Sequence, residues 1–146
     1  MNWGYDIDGV LAEQPPASTK KWGRMNGEER KERQNYLLRW YLTAEPLYNP
    51  PHNATAISAR KHTPEIQEIT NAWLATHRPQ ITHFYLLTGT RTLDNVATYK
   101  ANIIKQQNIT HYVEDNKQIL KRLAKLLDNT TLYHWEKGMQ EPQPYV

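Results

Sequence analysis

The chain has no cysteine among its 146 residues, which removes disulfides, thiolate metal sites and cysteine nucleophiles from consideration. Its six glycines form no phosphate-cradling loop, and Thr88-Gly89-Thr90 reads as a plain strand-to-helix turn. Its six histidines show neither His-x-His nor His-Glu-x-x-His spacing, so they read as surface or core residues. No apolar run approaches a membrane span, and residues 1–20 lack the core of a signal peptide. The expectation is a soluble, cytoplasmic protein with no membrane partner, in which the Asn-x-Thr triplets at Asn53, Asn108 and Asn129 are chance matches. Charge of one sign is also lacking. Eighteen Lys and Arg against fifteen Asp and Glu leave a net +3, compatible with an anionic substrate and far short of demanding nucleic acid.

What is present is a regular alternation of short apolar runs and amphipathic stretches. Asn2 to Tyr5, Ala54 to Ser58, Ile81 to Leu87, Ile109 to Val113 and Thr130 to Trp135 read as strands. The second is expected to break at Ser58-Ala59-Arg60. Thr63-Pro64-Glu65 starts a helix that carries Ile66, Ile69, Trp73 and Leu74 on one face. Thr92 to Gln107 reads as another helix, and Ile119, Leu120, Leu123, Leu126 and Leu127 form the clearest helical stripe. Such alternation predicts an α/β fold: a Rossmann-like three-layer α/β/α arrangement around a mostly parallel sheet of about five strands. One domain accounts for the length, since a chain of this size buries roughly two thirds of its unfolded surface. Residues 12–53 stand out as an insertion after the first strand, with one substantial helix over Glu28 to Leu42, sized for a small lid. Residues 136–146, with two prolines, read as a tail.

Chemistry concentrates at Tyr5-Asp6-Ile7-Asp8-Gly9-Val10-Leu11. Because Asn2 to Tyr5 reads as a short strand, Asp6 and Asp8, two apart, can point to one side while Ile7 points into the core. Two carboxylates in one small space repel, and a divalent cation, magnesium first, is the usual way to keep both ionised. Gly9 lets the backbone turn away and leaves both acids at the lip of the sheet. Ser58 and Arg60 follow the second apolar strand, Glu114 and Asp115 the fourth, so all reach the same edge.

Asp-Ile-Asp-Gly-Val-Leu resembles the first motif of the haloacid dehalogenase-like phosphatases, and the later signals follow in that family's order. Ile57-Ser58-Ala59-Arg60 is similar to its second motif, where Ser58 would donate to phosphoryl oxygens and the neighbouring Gly9, Ala59 and Arg60 would line the substrate. Lys100 stands where the family places a lysine that neutralises the nucleophile, and it precedes Glu114 by fourteen positions; Lys105 is its rival. Glu114-Asp115 resembles the acidic pair that completes the magnesium shell together with Asp6 and Asp8, the latter through its main-chain carbonyl. Either acid of the pair could be the direct ligand. The run Pro46-Leu47-Tyr48, Pro50, Ser58-Ala59-Arg60, Thr70 and Trp73-Leu74 also looks like a small-cap, deoxyribonucleotidase-type subgroup, some members of which are fused to phosphoribosyltransferase domains.

The resemblance implies a magnesium-dependent phosphomonoester hydrolase. Asp6 would be the nucleophile that forms an aspartyl-phosphate, Asp8 the general acid and then base, with Ser58 and Lys100 completing the catalytic set. The lid should carry specificity, with Trp22, Arg24, Trp40 and Tyr48 as candidates to stack on or contact a substrate. That substrate could be a nucleotide, a sugar phosphate or a phosphorylated nucleic-acid end. Two rivals remain: a non-catalytic phosphate- or nucleic-acid-binding module, and a phosphoacceptor receiver, against which the order of Lys100 before the acidic pair argues.

Overall fold

Four helices begin at four polar caps. Asn26 accepts from the Glu29 N–H and Glu29 reaches back, a reciprocal capping box that starts α1, Gly27–Thr43. Thr63, Thr92 and Asn116 cap α2 (Pro64–His77), α3 (Leu93–Gln106) and α4 (Lys117–Leu126), each side chain accepting from N–H groups of the first turn without a reciprocal bond. Between them lie strands β1 (Trp3–Tyr5), β2 (Ala54–Lys61), β3 (Ile81–Leu87), β4 (His111–Glu114), β5 (Thr131–His134) and β6 (Gln143–Pro144). The computed structural model describes residues 1–146 throughout.

The strands form one sheet in the order β3-β2-β1-β4-β5-β6, parallel except for β6. Neighbouring strand residues alternate between two cores. Ala56 and Val113 belong to one, with Tyr5, Ile7, Trp73 and Leu74; Ile57 and Tyr112 belong to the other, with the α3 and α4 stripe of Val96, Ala97, Ile104, Leu120 and Leu123. That division follows from the two-residue period of a strand, and each fully buried Leu or Ile contributes about 1.5–3 kcal/mol. The result is an α/β fold compatible with a Rossmann-like three-layer arrangement. No helix is long and apolar enough to cross a membrane.

Strand order also decides where a ligand site can form. The chain runs outward from β1 to β2 and β3, then crosses back to place β4 on the other side of β1. The carboxyl end of β1 is therefore the point where strand order reverses, the place where open α/β sheets leave a crevice.

Three sequence expectations change. The sheet has six strands rather than about five, because the segment read as a tail returns as β6, with Tyr145 N–H donating to the Leu132 carbonyl. Proline keeps that strand to two residues, since it cannot donate to a ladder. β2 does not break at Ser58-Ala59-Arg60 but continues to Lys61 through a register shift against β3. The insertion holds a 3-10 turn at Trp22–Arg24 in addition to α1, and of the seventeen residues of α1 only Tyr41 is buried.

Candidate active site

β1 ends at Tyr5, and this early ending shapes the site. The Asp6 N–H still pairs with the Val113 carbonyl at 3.0 Å. Beyond it the amides of Val10, Leu11 and Ala12 all converge on the Ile7 carbonyl, and Gly9 takes φ +92°. Side chains two apart share a side only while the backbone stays extended. Asp8 accordingly stands outside the group of carboxylates that gathers around Asp6 within 4.8 Å, a departure from the close pairing expected from the Asp-x-Asp spacing.

Asp6 joins an acidic cluster. The Lys100 ammonium donates to Asp6 Oδ1 at 2.9 Å and to Glu114 Oε1 at 2.7 Å. Glu114 also accepts from the Tyr112 hydroxyl and the Asn116 N–H, both at 3.2 Å. Oxygens of Asp6, Glu114 and Asp115 lie within 4.8 Å of one another, so a third carboxylate stands beside the two that share the ammonium. Burial and the Glu114 charge hold Asp6 well above the usual carboxylate range, against the pull of Lys100. Burial followed by Glu114 pushes Asp115 up to about 7. Burial would raise Glu114 too, but Lys100 and its hydrogen-bonding neighbours outweigh it and leave Glu114 below its ordinary value. For Lys100, burial disfavours the charge, yet Asp6 and Glu114 more than compensate and keep it protonated.

These residues fit a divalent cation. The donors are all oxygens, as magnesium requires, and with all three carboxyls ionised two negative charges remain after Lys100 is counted. Gly9 supplies the room: a Cβ at that position would overlap the Asp115 carboxylate. Glu114 is already engaged by three donors, whereas no nitrogen donor of the protein reaches Asp115. Asp115 is accordingly the freer of the two to coordinate.

Asp8 belongs to a separate, neutral assembly. Arg60 grips it with two parallel bonds, Nε to Oδ2 at 2.9 Å and Nη2 to Oδ1 at 2.8 Å. Nη1 of the same guanidinium donates to Thr70 Oγ1 at 3.0 Å, and its Cζ lies 3.9 Å from the centroid of the Tyr41 ring. Arg60 is buried, with all of this contact directed into the protein. It does not face a substrate, which corrects its assignment as a substrate-binding residue: Arg60 holds Asp8. Asp8 in turn lies outside the acidic cluster, so its charge is met by Arg60 and not by a shared cation.

The remaining candidates divide. Ser58 is fully buried, and its Oγ accepts from the Arg60 N–H at 2.9 Å, bracing the irregular end of β2. Ala59 packs against the α3–α4 core. Lys105 is exposed while Lys100 is buried among the acids, which separates the two rivals. Trp22 is exposed on the 3-10 turn with the Arg30 guanidinium 5.2 Å from its ring, and Arg24 ends that turn; neither bonds to a residue of the acidic cluster. Tyr48 is a packing residue, stacked on Tyr5 and tilted against Trp135, with its carbonyl taken by Arg78. Trp40 donates from Nε1 to the Glu13 carbonyl and is half-buried against the core.

Sequence reasoning missed Tyr41 and Arg91. Burial and then Asp8 raise the Tyr41 phenol, while Arg60, Arg91 and Arg33 oppose the shift, so these groups gather around it. Arg91 is exposed in the loop after β3, at the same sheet edge. No spacing marks either residue, because each reaches the site from an element distant in sequence. The chain matches no protein-family model and no curated protein sequence.

Proposed function

We propose that this chain is a magnesium-dependent phosphomonoester hydrolase of the haloacid dehalogenase-like type, with residues 12–53 as a small lid over the site. The observation that carries the reading is the buried Lys100 bridging Asp6 and Glu114 beside Asp115, at the reversal point of the sheet. Lys100 bonds two buried carboxylates with a third beside them, more acid than an ordinary ion pair needs, and strongly perturbed acids at a ligand-binding sheet edge are candidates for a functional site.

The proposed chemistry assigns one task to each residue. Lys100 fixes Asp6 through Oδ1 and leaves Oδ2 to attack phosphorus in line. As the phosphorus–oxygen bond of the ester breaks, the leaving oxygen takes a proton from Asp8, which the carboxylate has first taken up from solvent together with the arriving phosphate dianion. Each Asp8 oxygen accepts only one Arg60 N–H, so a lone pair on each remains to carry that proton. Water then attacks the aspartyl-phosphate and gives its proton to Asp8, releasing phosphate and restoring Asp6. The Lys100 ammonium holds part of the charge on the transferring group. Asp6, Asp115 and the Asp8 carbonyl, with Glu114 directly or through water, would hold magnesium, which when bound supplies charge neutralisation for the phosphoryl oxygens.

The substrate is proposed to be a phosphorylated small molecule or nucleic-acid end reached from the lid side. A non-catalytic phosphate- or nucleic-acid-binding module is the second reading, favoured only by exposed Trp22 and its basic neighbours. Phosphate release from a panel of nucleotides, sugar phosphates and phosphorylated oligonucleotide ends decides between them. Release is expected with magnesium, is expected to stop with chelator, and is expected to fall on the order of 10⁴-fold or more in Asp6→Asn. Wild-type rates in Asp6→Asn would sink the mechanism. A panel left intact, with an oligonucleotide bound in a salt-dependent way, would establish the binding module.

A further inference from the structure

We propose that Tyr41 is a positioning residue that couples the seat of the lid to the aim of Asp8, acting through Arg60. Its catalytic consequence rests on the phosphomonoesterase reading; its geometry does not.

Three elements far apart in sequence meet at one guanidinium. Arg60 belongs to β2, Asp8 to the turn after β1 and Tyr41 to α1 of the insertion. The bonds to Asp8 and Thr70 all lie along the edge of the guanidinium plane, at 2.8–3.0 Å. Edge bonds set the position of that plane but resist tilting only weakly. The Tyr41 ring, 3.9 Å from Cζ, covers its face and resists the tilt. Asp8 follows, because both of its oxygens are bound to the same planar group.

The lid enters through the burial pattern of α1. Tyr41 is its one buried residue, and Trp40 beside it is tied to the Glu13 carbonyl at 2.9 Å. Tyr41 is thus the point where the helix meets β2, at Arg60, while the Trp40 bond ties the helix to the segment that opens the insertion. A lid that swings away takes the ring with it, frees the guanidinium to tilt and turns Asp8 from its line to the leaving oxygen. Proton delivery is then possible only when the lid is seated. A ring that served packing alone would have no effect confined to Asp8.

The experiment compares Tyr41→Phe, which keeps the ring, with Tyr41→Leu, which removes it; Tyr41→Met stands in if Tyr41→Leu fails to fold by circular dichroism. The first readout needs no activity: the Nε–H resonance of Arg60 in the intact, isotope-labelled protein. It is expected to persist in Tyr41→Phe, and in the ring-less variant to shift and exchange with water at least about tenfold faster, as a freed bond does. The second readout is turnover of an alkyl phosphate, whose leaving oxygen needs a proton, against p-nitrophenyl phosphate, whose leaving group does not. Loss of the ring is expected to lower kcat on the alkyl ester about 10²-fold, the scale of a misaimed catalytic group, with little change in KM. The first-turnover burst of p-nitrophenolate is expected to survive, and Tyr41→Phe to restore both substrates. An unchanged Arg60 resonance without the ring, or equal losses of the first turnover on both esters, would overturn the positioning role. If the wild type releases no phosphate with magnesium, the hydrolase reading fails by itself and the resonance alone decides the role of Tyr41.

Discussion

Asp6 and Asp8 are separated by one residue and live in opposite electrostatic settings. Asp6 is buried among Glu114, Asp115 and Lys100, where acids outnumber cations and burial holds two of the carboxyls above their usual range. Asp8 is matched one to one by Arg60, whose third nitrogen donates to Thr70 and whose face is covered by the Tyr41 ring. One region is electrostatically incomplete without a further cation. The other is complete. This contrast separates a place that binds from a place that aims, and it suits the two roles proposed for the pair.

The largest expected effect breaks the complete region. Arg60→Leu leaves the Asp8 carboxylate without its partner and is expected to lower stability by about 3 kcal/mol or more, read as a fall in the urea midpoint. Adding Asp8→Asn to that variant should recover most of the loss, because the orphaned charge goes with it. If the double variant is no more stable than the single one, Arg60 contributes chiefly by packing, and Asp8 is less tightly matched than its bonds indicate.

The incomplete region should respond in the opposite direction. Raised carboxyl pKa values mean that the native protein retains protons which the unfolded chain has already released, so stability of the metal-free protein falls as pH rises. For Asp115 the window runs from its ordinary value of 3.8 to about 7, with Asp6 adding to the same slope. Asp115→Asn should therefore stabilise the metal-free protein at pH 8 by about 1 kcal/mol or more. In the wild type, magnesium should raise the melting temperature more at pH 8 than at pH 5, and the variant should lose most of that response. A variant that is destabilised at pH 8, or that keeps the full magnesium response, would remove Asp115 from the cation site.

A smaller effect sharpens the comparison further. Gly9→Ala places a Cβ against the Asp115 carboxylate at a positive φ, and the backbone strain alone is worth roughly 1 kcal/mol. The magnesium response should weaken while the Arg60 Nε–H resonance is unchanged, since the clamp on Asp8 lies elsewhere. Loss of the resonance as well would mean that the two regions are coupled through the Gly9 turn.

How much could be read from the chain depends on whether the deciding interaction is local. Thr63-Pro64-Glu65 announced a helix start that α2 adopts, because a cap is satisfied within its own turn. The Asp-x-Asp-Gly run marked the sheet edge, and Lys100 was preferred to Lys105 by its distance from Glu114; the structure puts Lys100 among the acids and Lys105 in solvent. The close pairing expected of Asp6 and Asp8 failed because the strand stops at Tyr5, after which three amides fold back on the Ile7 carbonyl. The tail became β6 because Leu132 offered a carbonyl that Tyr145 could meet, a pairing invisible from two prolines. Arg60 was assigned to substrate on position alone. Its real partners, Asp8 and Tyr41, lie far from it in the sequence.

The amino-acid sequence by itself determined where helices begin, which faces are apolar, and that acids and a serine come to strand ends, with a lysine on the helix before the last acidic pair, in a fixed order. Those properties depend on neighbours within a turn or on the period of a single element. Only the tertiary structure decided which acid meets which cation. Charges buried far from water respond to whatever lies within a few ångströms, and here those neighbours are supplied by the turn after β1 and by β2, β4, α1, α2 and α3 together.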